Sequence, residues 1–196
     1  MSGRQAKLLS DKDIRKLIDA ARESRFPVRN ELIVLLATRA AMRASEIAGL
    51  TWDMVLDGNG MVTSTIDVRD TIAKRGAGRR IPMHPSIKKA LRALKRIQPD
   101  YRLGFDAPVV RSNKGGHLQP NSIVNWFRET CQAAGLEGCS SHSGRRTFIT
   151  NAARAAHRAG ASLRDVQMLA GHRSIETTQR YIDGDSDAQR RLVSYM

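Results

Sequence analysis

Cysteine is nearly missing from this chain. Cys131 and Cys139 are the only two, they form no CxxC pair, and they suggest no disulfide framework. Both read as core or surface thiols in a reducing compartment. Long apolar runs are missing as well: no stretch approaches the roughly 20 residues that a membrane span needs. The opening MSGRQAKLLS lacks the apolar stretch of a secretory signal, so a cytoplasmic protein with no membrane partner is expected. There is no HExxH and no carboxylate cluster, so no metal and no cofactor is expected. Acids are scarce beside bases, 19 Asp+Glu against 33 Lys+Arg, for a net charge of +14. Such an excess is unusual for an enzyme of small neutral metabolites. It points to a polyanionic partner, where each neutralised phosphate releases counterions.

What remains is enough to fold. At 196 residues and 41% hydrophobic content the chain can bury one good-sized core. Ser10 followed by Asp13 resembles a helix cap, and Ile14, Leu17, Ile18 and Ala21 recur at helical spacing. Pro27 breaks that pattern. RNELIVLLATRAAM is apolar on much of its surface and is expected at the centre of the core, and Ser45 can cap a short third helix, SEIAGL. Residues 61–83 change character. MVTSTIDV, TIAK and RRIPM read as three strands of a small antiparallel sheet, with RGAG as a turn. HPSIKKALRALKRI, PNSIVNWFRETCQAAGL, HSGRRTFITNAARAAHRAG, SLRDVQMLAG and SIETTQRYI then read as helices, the last capped by Ser174. The expected fold is α+β, mainly helical, in one domain.

The positive charge is concentrated. From Arg69 to Arg96 there are ten Lys or Arg and one acid, Asp70; from His142 to Arg173 there are six Arg and one acid, Asp165. Two nearly acid-free stretches favour a DNA-facing surface over a merely solvated one.

Six polar residues stand where a loop or a helix start exposes them: Arg43, Lys74, His142, Arg145, His172 and Tyr181. The set suits phosphoryl transfer without metal. Guanidiniums fork onto non-bridging oxygens, imidazoles donate to developing charge, a tyrosine oxygen can attack, and a lysine can protonate a departing oxygen. Taken singly, each has a plainer role: Tyr181 in packing, either histidine in a structural hydrogen bond, Arg43 at a helix C-terminus, Lys74 in solvent. Composition and spacing alone give a basic, mostly helical, phosphate-binding protein.

The order of the motifs goes further. AMRASEIAGL places Arg43 and Glu46, a predicted hairpin carries Lys74, HSGR supplies His142 and Arg145 three apart, and LAGHRSIETTQRYI sets Gly171 just before His172, which stands nine residues before Tyr181. In that order the chain resembles the catalytic domain of the tyrosine recombinases, the phage integrase family. Gly144, Arg146 and Ala170 depart from the family's usual letters, which bears on packing under a helix start. The resemblance implies the recombinase catalytic-domain fold and site-specific cleavage and rejoining of double-stranded DNA through a 3′-phosphotyrosyl link. It implies Tyr181 as nucleophile, Lys74 as general acid, His142 as proton acceptor, and Arg43, Arg145 and His172 on the phosphate. Arg75, Arg79 and Arg80 are expected DNA contacts. It also implies a homotetramer in the synaptic complex and a monomer when free. With about ten residues before the first helix, residues 1–196 read as the catalytic domain alone, without an N-terminal core-binding domain. Residues 183–196 read as a tail that can dock on a neighbouring protomer. Rival readings are a type IB topoisomerase, a non-catalytic DNA-binding protein of the same fold, and more distantly a metal-dependent nuclease.

A +14 chain without a clamp should bind duplex DNA weakly, with little sequence preference and a steep loss of affinity as salt rises. Titration of labelled duplexes across a salt series checks this, and nanomolar site-specific binding at physiological salt would contradict it.

Overall fold

Helix α2, Pro27–Arg39, occupies the centre of the fold. In this computed structural model, which describes residues 6–98, 104, 106–181 and 193–194 without the side chain of Arg75, residues Leu32 to Thr38 of α2 are all buried. A helix apolar on every side must be surrounded, and α1, α4 and α6 pack on it. Pro27, read from sequence as a break, opens α2 at its first turn, where its missing N–H costs nothing.

Helix α1, Asp11–Arg22, starts at the reciprocal cap of Ser10 and Asp13 and turns Ile14, Leu17 and Ala21 inward. Helix α3, Ala44–Gly49, begins after Arg43 and not at Ser45; Glu46 accepts the Arg43 backbone N–H and so fixes the start. Helix α4, Pro85–Ile97, is capped by His84, whose Nδ1 accepts the Ser86 N–H. Helix α5, Pro120–Ala133, packs on α3 and α1. Trp52 and Phe127 are the bulkiest fully buried side chains of the main core. Each such burial stabilises by roughly 1.5–3 kcal/mol.

The sheet has two strands, not three. Strand β1, Thr65–Val68, pairs antiparallel with β2, Arg79–Pro82, with Ile66 opposite Ile81 and Asp67 opposite Arg80. The isoleucines face the core and the charged pair faces out, as the two-residue period requires. The TIAK segment is a turn: the Ile72 and Ala73 N–H groups both return to the Arg69 carbonyl. Ile72 packs so closely on α3 that a Cβ on Gly49 would meet its Cγ2 at 2.6 Å. Tertiary packing holds this isoleucine where ladder pairing would have turned it away.

Three helices complete the fold: α6, Ser141–Ala155, α7, Leu163–Ala170, and α8, Ile175–Gln179. They enclose a second, smaller core of Ala41, Ile149, Ala156, Val166 and Ala170, on which Tyr181 packs. Among the described residues, no helix is long and apolar enough to cross a membrane. Tyr101, Tyr195 and most of the expected tail 183–196 lie outside the described residues.

Gly144 is buried at the α2–α6 crossing. A Cβ there would sit 3.1 Å from Ala37 Cβ and 3.2 Å from Thr38 Cγ2, so glycine sets how closely α6 approaches the central helix. Gly144→Leu should overpack this crossing and cost about 1–3 kcal/mol. Urea unfolding measures it, and an unchanged midpoint would mean that the two helices have room to spare.

Candidate active site

The site begins where α2 ends. Ala41 takes φ +50, the one positive φ of a non-glycine among the described residues. A residue with a Cβ resists that conformation, so its neighbours must hold it there. Its carbonyl accepts from Arg145 Nη1. Two residues on, Arg43 leads into α3 and meets Glu46. Its Nη1 donates to Oε1 at 2.7 Å, and its Nη2 reaches the Gly171 carbonyl at 3.3 Å.

Glu46 is fully buried. From β2, Arg79 donates Nη1 to Oε1 at 2.9 Å and Nη2 to Oε2 at 3.0 Å, a two-pronged pair, while its Nε donates to the Leu169 carbonyl at 2.8 Å. Burial alone would raise the Glu46 pKa. The hydrogen bonds and charge of Arg79, then those of Arg43, outweigh it and hold the carboxyl below its ordinary range. The Arg79 side chain is only 6% exposed. Expected as a DNA contact, this guanidinium instead faces inward with its fork on Glu46.

Arg145, in the second turn of α6, is buried. Besides Ala41 it bonds the Ala170 carbonyl through Nη2 at 2.6 Å, and the same nitrogen lies 3.1 Å from His172 Nε2. Burial, and then the neighbouring Arg43, lower its pKa to about 10, which still leaves it cationic at neutral pH. Arg43, Arg79 and Arg145 thus surround a single carboxylate. Two positive charges remain uncompensated within that group, the electrostatics of an anion site.

Helix α7 stops where its geometry presents the histidine. Gly171, at φ +62, donates its N–H to Met168 O, and His172 donates to Gln167 O, the paired bonds of a Schellman close. Only glycine fits here on two counts. The φ is left-handed, and a Cβ would lie 2.9 Å from Arg79 Nη1. His172 is held further by Gln167, whose Nε2 donates to its carbonyl at 2.9 Å. Burial and then Arg145, Arg43 and Arg79 depress the His172 pKa to about 4, so the ring is neutral at physiological pH. Its Nδ1 lies 2.9 Å from the Thr178 hydroxyl. Its ring stacks on Tyr181, with centroids 5.6 Å apart and planes at 21°.

A cleft of about 330 Å³ opens over these groups, lined by His142, Arg145, Arg146, Arg180 and Tyr181 among others. The structure therefore joins Arg43, Arg145, His172 and Tyr181 in one network, with His142 exposed on the cleft wall from the first turn of α6. Lys74 is exposed in the 3₁₀ turn Lys74–Gly76 between the strands and is not part of that lining. Arg80 is exposed on β2 opposite Asp67, and the Arg75 side chain lies outside what is described. Sequence reasoning missed the clamp role of Arg79, the cleft positions of Arg146 and Arg180, and the burial of Thr178. The available signals were Arg146 beside Arg145, Arg180 beside Tyr181, and a lone acid, Glu46, in an apolar six-residue helix.

The sequence model of the phage integrase family matches residues 7–187. Tyrosine recombinase XerC of Rhizobium meliloti (strain 1021) is 31% identical over 185 residues, which is 92% of this chain and 54% of that protein. XerC of Brucella suis biovar 1 (strain 1330) is 29% identical over 195 residues, 96% of this chain and 58% of that one. Among solved structures, XerA recombinase superposes with a TM-score of 0.73 at 26% identity, covering 98% of this chain and 65% of XerA. XerH, solved as a post-cleavage complex on a palindromic difH substrate, shares the fold at a TM-score of 0.75 and 21% identity, covering 97% of this chain and 53% of XerH. The chain spans about half the length of the curated relatives it matches.

The His172 environment gives stability a pH dependence of known sign. Its folded pKa, about 4, lies below the ordinary 6.5, so the unfolded chain binds the proton first as pH falls. The stabilising contribution is complete above about 6.5 and is lost as pH drops toward about 4. His172→Gln, which cannot titrate, should flatten the fall in unfolding free energy across that window. Urea unfolding as a function of pH tests this, and equal slopes for the two proteins would refute a neutral buried His172.

Proposed function

The chain belongs to the phage integrase family, and we propose that it cleaves and rejoins double-stranded DNA by site-specific strand transfer through Tyr181. The observation that carries this reading is the network that joins Arg43 and His172 to Arg145 and Tyr181, the last two of which line one cationic cleft.

In the proposed reaction the Tyr181 oxygen attacks the scissile phosphorus and the bond to the 5′-oxygen breaks, leaving a 3′-phosphotyrosyl link. The attacking phenol must give up its proton, so the attack needs both a proton acceptor and stabilised charge. His142, on the cleft wall, takes the phenolic proton. Arg43 and Arg145 carry positive charge to the non-bridging oxygens from a partly desolvated position, where each donor counts for more than it would in water. His172 donates to the same group. Lys74 protonates the departing 5′-oxygen, which requires its hairpin turn to approach the cleft when DNA is bound. Rejoining reverses the step, and the phosphotyrosyl bond conserves the energy of the phosphodiester, so no nucleotide is consumed.

Arg80 on the exposed strand face, with Arg146 and Arg180 at the cleft rim, would meet phosphates flanking the scissile one. The full exchange calls for two duplexes and a tetramer of protomers, each monomeric when free, with residues 183–196 supplying a contact in trans.

Covalent trapping on nicked duplexes in EDTA tests the reading. The wild-type protein should give a denaturant-resistant adduct that Tyr181→Phe abolishes and Tyr195→Phe retains. Arg145→Ala should lower the rate of adduct formation by about 10²–10³-fold, the scale for one lost transition-state donor. An adduct that survives Tyr181→Phe and disappears with Tyr195→Phe would reassign the nucleophile, and tight binding with no adduct on any duplex would overturn the catalytic reading.

A further inference from the structure

His172 has two ring partners, and together they determine where its proton sits. Arginine has donors and no acceptor, so the Arg145 Nη2 that lies 3.1 Å from His172 Nε2 must be giving a hydrogen bond to it. Nε2 then carries no hydrogen. The neutral ring carries its proton on Nδ1 and donates it to Thr178 Oγ1, 2.9 Å away. In this form the ring has nothing to offer a phosphate oxygen, because Nε2, which abuts the cleft-lining Arg145, is an acceptor already engaged by it.

A bound phosphodiester changes what Nε2 must do. Once Arg145 turns a donor onto the anion, Nε2 has to present an N–H of its own, and Nδ1 must then accept. Its partner has to be a group that both accepts and donates, which among side chains is a property of hydroxyls. Thr178 meets that requirement and is fully buried, so solvent does not substitute for it. We infer that Thr178 is a positioning residue for His172: its hydroxyl accepts from Nδ1 in the free protein and donates to Nδ1 when phosphate is bound, which frees Nε2–H for a non-bridging oxygen. No net proton is gained. Water adds one at Nε2 and takes the one from Nδ1 as the half-exposed ring turns briefly from Thr178, and on its return the hydroxyl hydrogen faces the vacated nitrogen. Tyr181 follows α8 in a turn, and its N–H donates to the Thr178 carbonyl at 3.0 Å, so the residue that governs the histidine's proton also supports the proposed nucleophile. The inference rests on the reading of the cleft as a phosphodiester site.

Two experiments test it separately from that reading. Nitrogen NMR of the free protein, labelled at histidine, should show His172 with a protonated Nδ1 and an unprotonated Nε2. With duplex DNA bound, the wild type and Thr178→Ser should shift to a protonated Nε2, and Thr178→Val should not, although the Arg145 donor keeps Nε2 unprotonated in all three free proteins. A protonated Nε2 in the free wild type, or a Thr178→Val protein that shifts on DNA as the wild type does, would overturn the inference whether or not the protein cuts DNA. In adduct formation on saturating nicked duplex, Thr178→Val should be slowed about tenfold or more, the scale of one lost hydrogen bond, with Thr178→Ser restoring most of the rate. Equal impairment of the two variants would mean that restoring the hydroxyl does not restore the rate, and would overturn the proposed role. If the wild type forms no adduct on any duplex, the functional reading fails, and the spectra still decide the tautomer.

Discussion

The carboxylate of Glu46 is the charge on which the site's geometry depends. Its two oxygens take one guanidinium bond from Arg43, two from Arg79, and the backbone N–H that starts α3. A carboxylate at 0% exposure is tolerated only with such a complement, since removing one partner of a buried ion pair costs about 3–5 kcal/mol. Its bonds reach across the fold. Arg79 arrives on the strand that follows the Lys74 turn and continues through Nε to the last turn of α7, while Arg43 reaches Gly171. The hairpin, the start of α3 and the histidine loop therefore share a single anchor, and a displacement of one is felt by the others.

The arginines are held by helix ends as much as by the carboxylate. The carbonyls of Leu169, Ala170 and Gly171 close α7, and that of Ala41 follows the end of α2; all four accept from Arg79, Arg145 or Arg43. Such carbonyls have no partner within their own helix and carry the negative end of its dipole. Two helix C-termini converging on one point give buried guanidiniums a polar environment without neutralising them. This explains how Arg145 can be buried, have its pKa lowered to about 10, and remain charged. An anion entering the cleft meets cations already desolvated and oriented, so little reorganisation is needed when charge develops.

Much of this was legible in the sequence where local chemistry decides. The Ser10 cap, the central apolar helix and the glycine before His172 each have a mechanism tied to a few neighbouring residues. The nine-residue interval from His172 to Tyr181 spans a tight loop and one short helix, which brings the two rings into a stack. Long-range packing was less legible. TIAK has the composition of a strand, but Ile72 packs against α3, and nothing within the segment indicates that. Arg79 and Arg80 are adjacent and chemically identical, yet strand alternation sends one inward to Glu46 and the other outward opposite Asp67. Which of the two turns inward depends on the register with β1, a property of the pair of strands. Thr178 reads in sequence as any polar helix residue, and its burial depends on α7 and the His172 loop packing against α8.

The support of Tyr181 links binding to catalysis. Helix α8 has only five residues, too few to be stable alone. Its hold on the fold comes from the buried Thr178, the stack of Tyr181 on His172, a 3.5 Å contact from the Thr150 hydroxyl to the Tyr181 carbonyl, and a small core built largely of alanine, valine and a single buried isoleucine. Short side chains bury little area, so this core stabilises far less than the Trp52 and Phe127 core around α2. The tyrosine's position accordingly depends on the few polar contacts around His172, and those are the contacts a phosphate would rearrange. An anion that draws Arg145 away from Nε2 alters the ring against which Tyr181 rests and the hydroxyl that supports its helix. On the proposed reading, with Tyr181 as nucleophile, phosphate binding and placement of the tyrosine are two readings of one equilibrium, coupled by the free energy of a few hydrogen bonds.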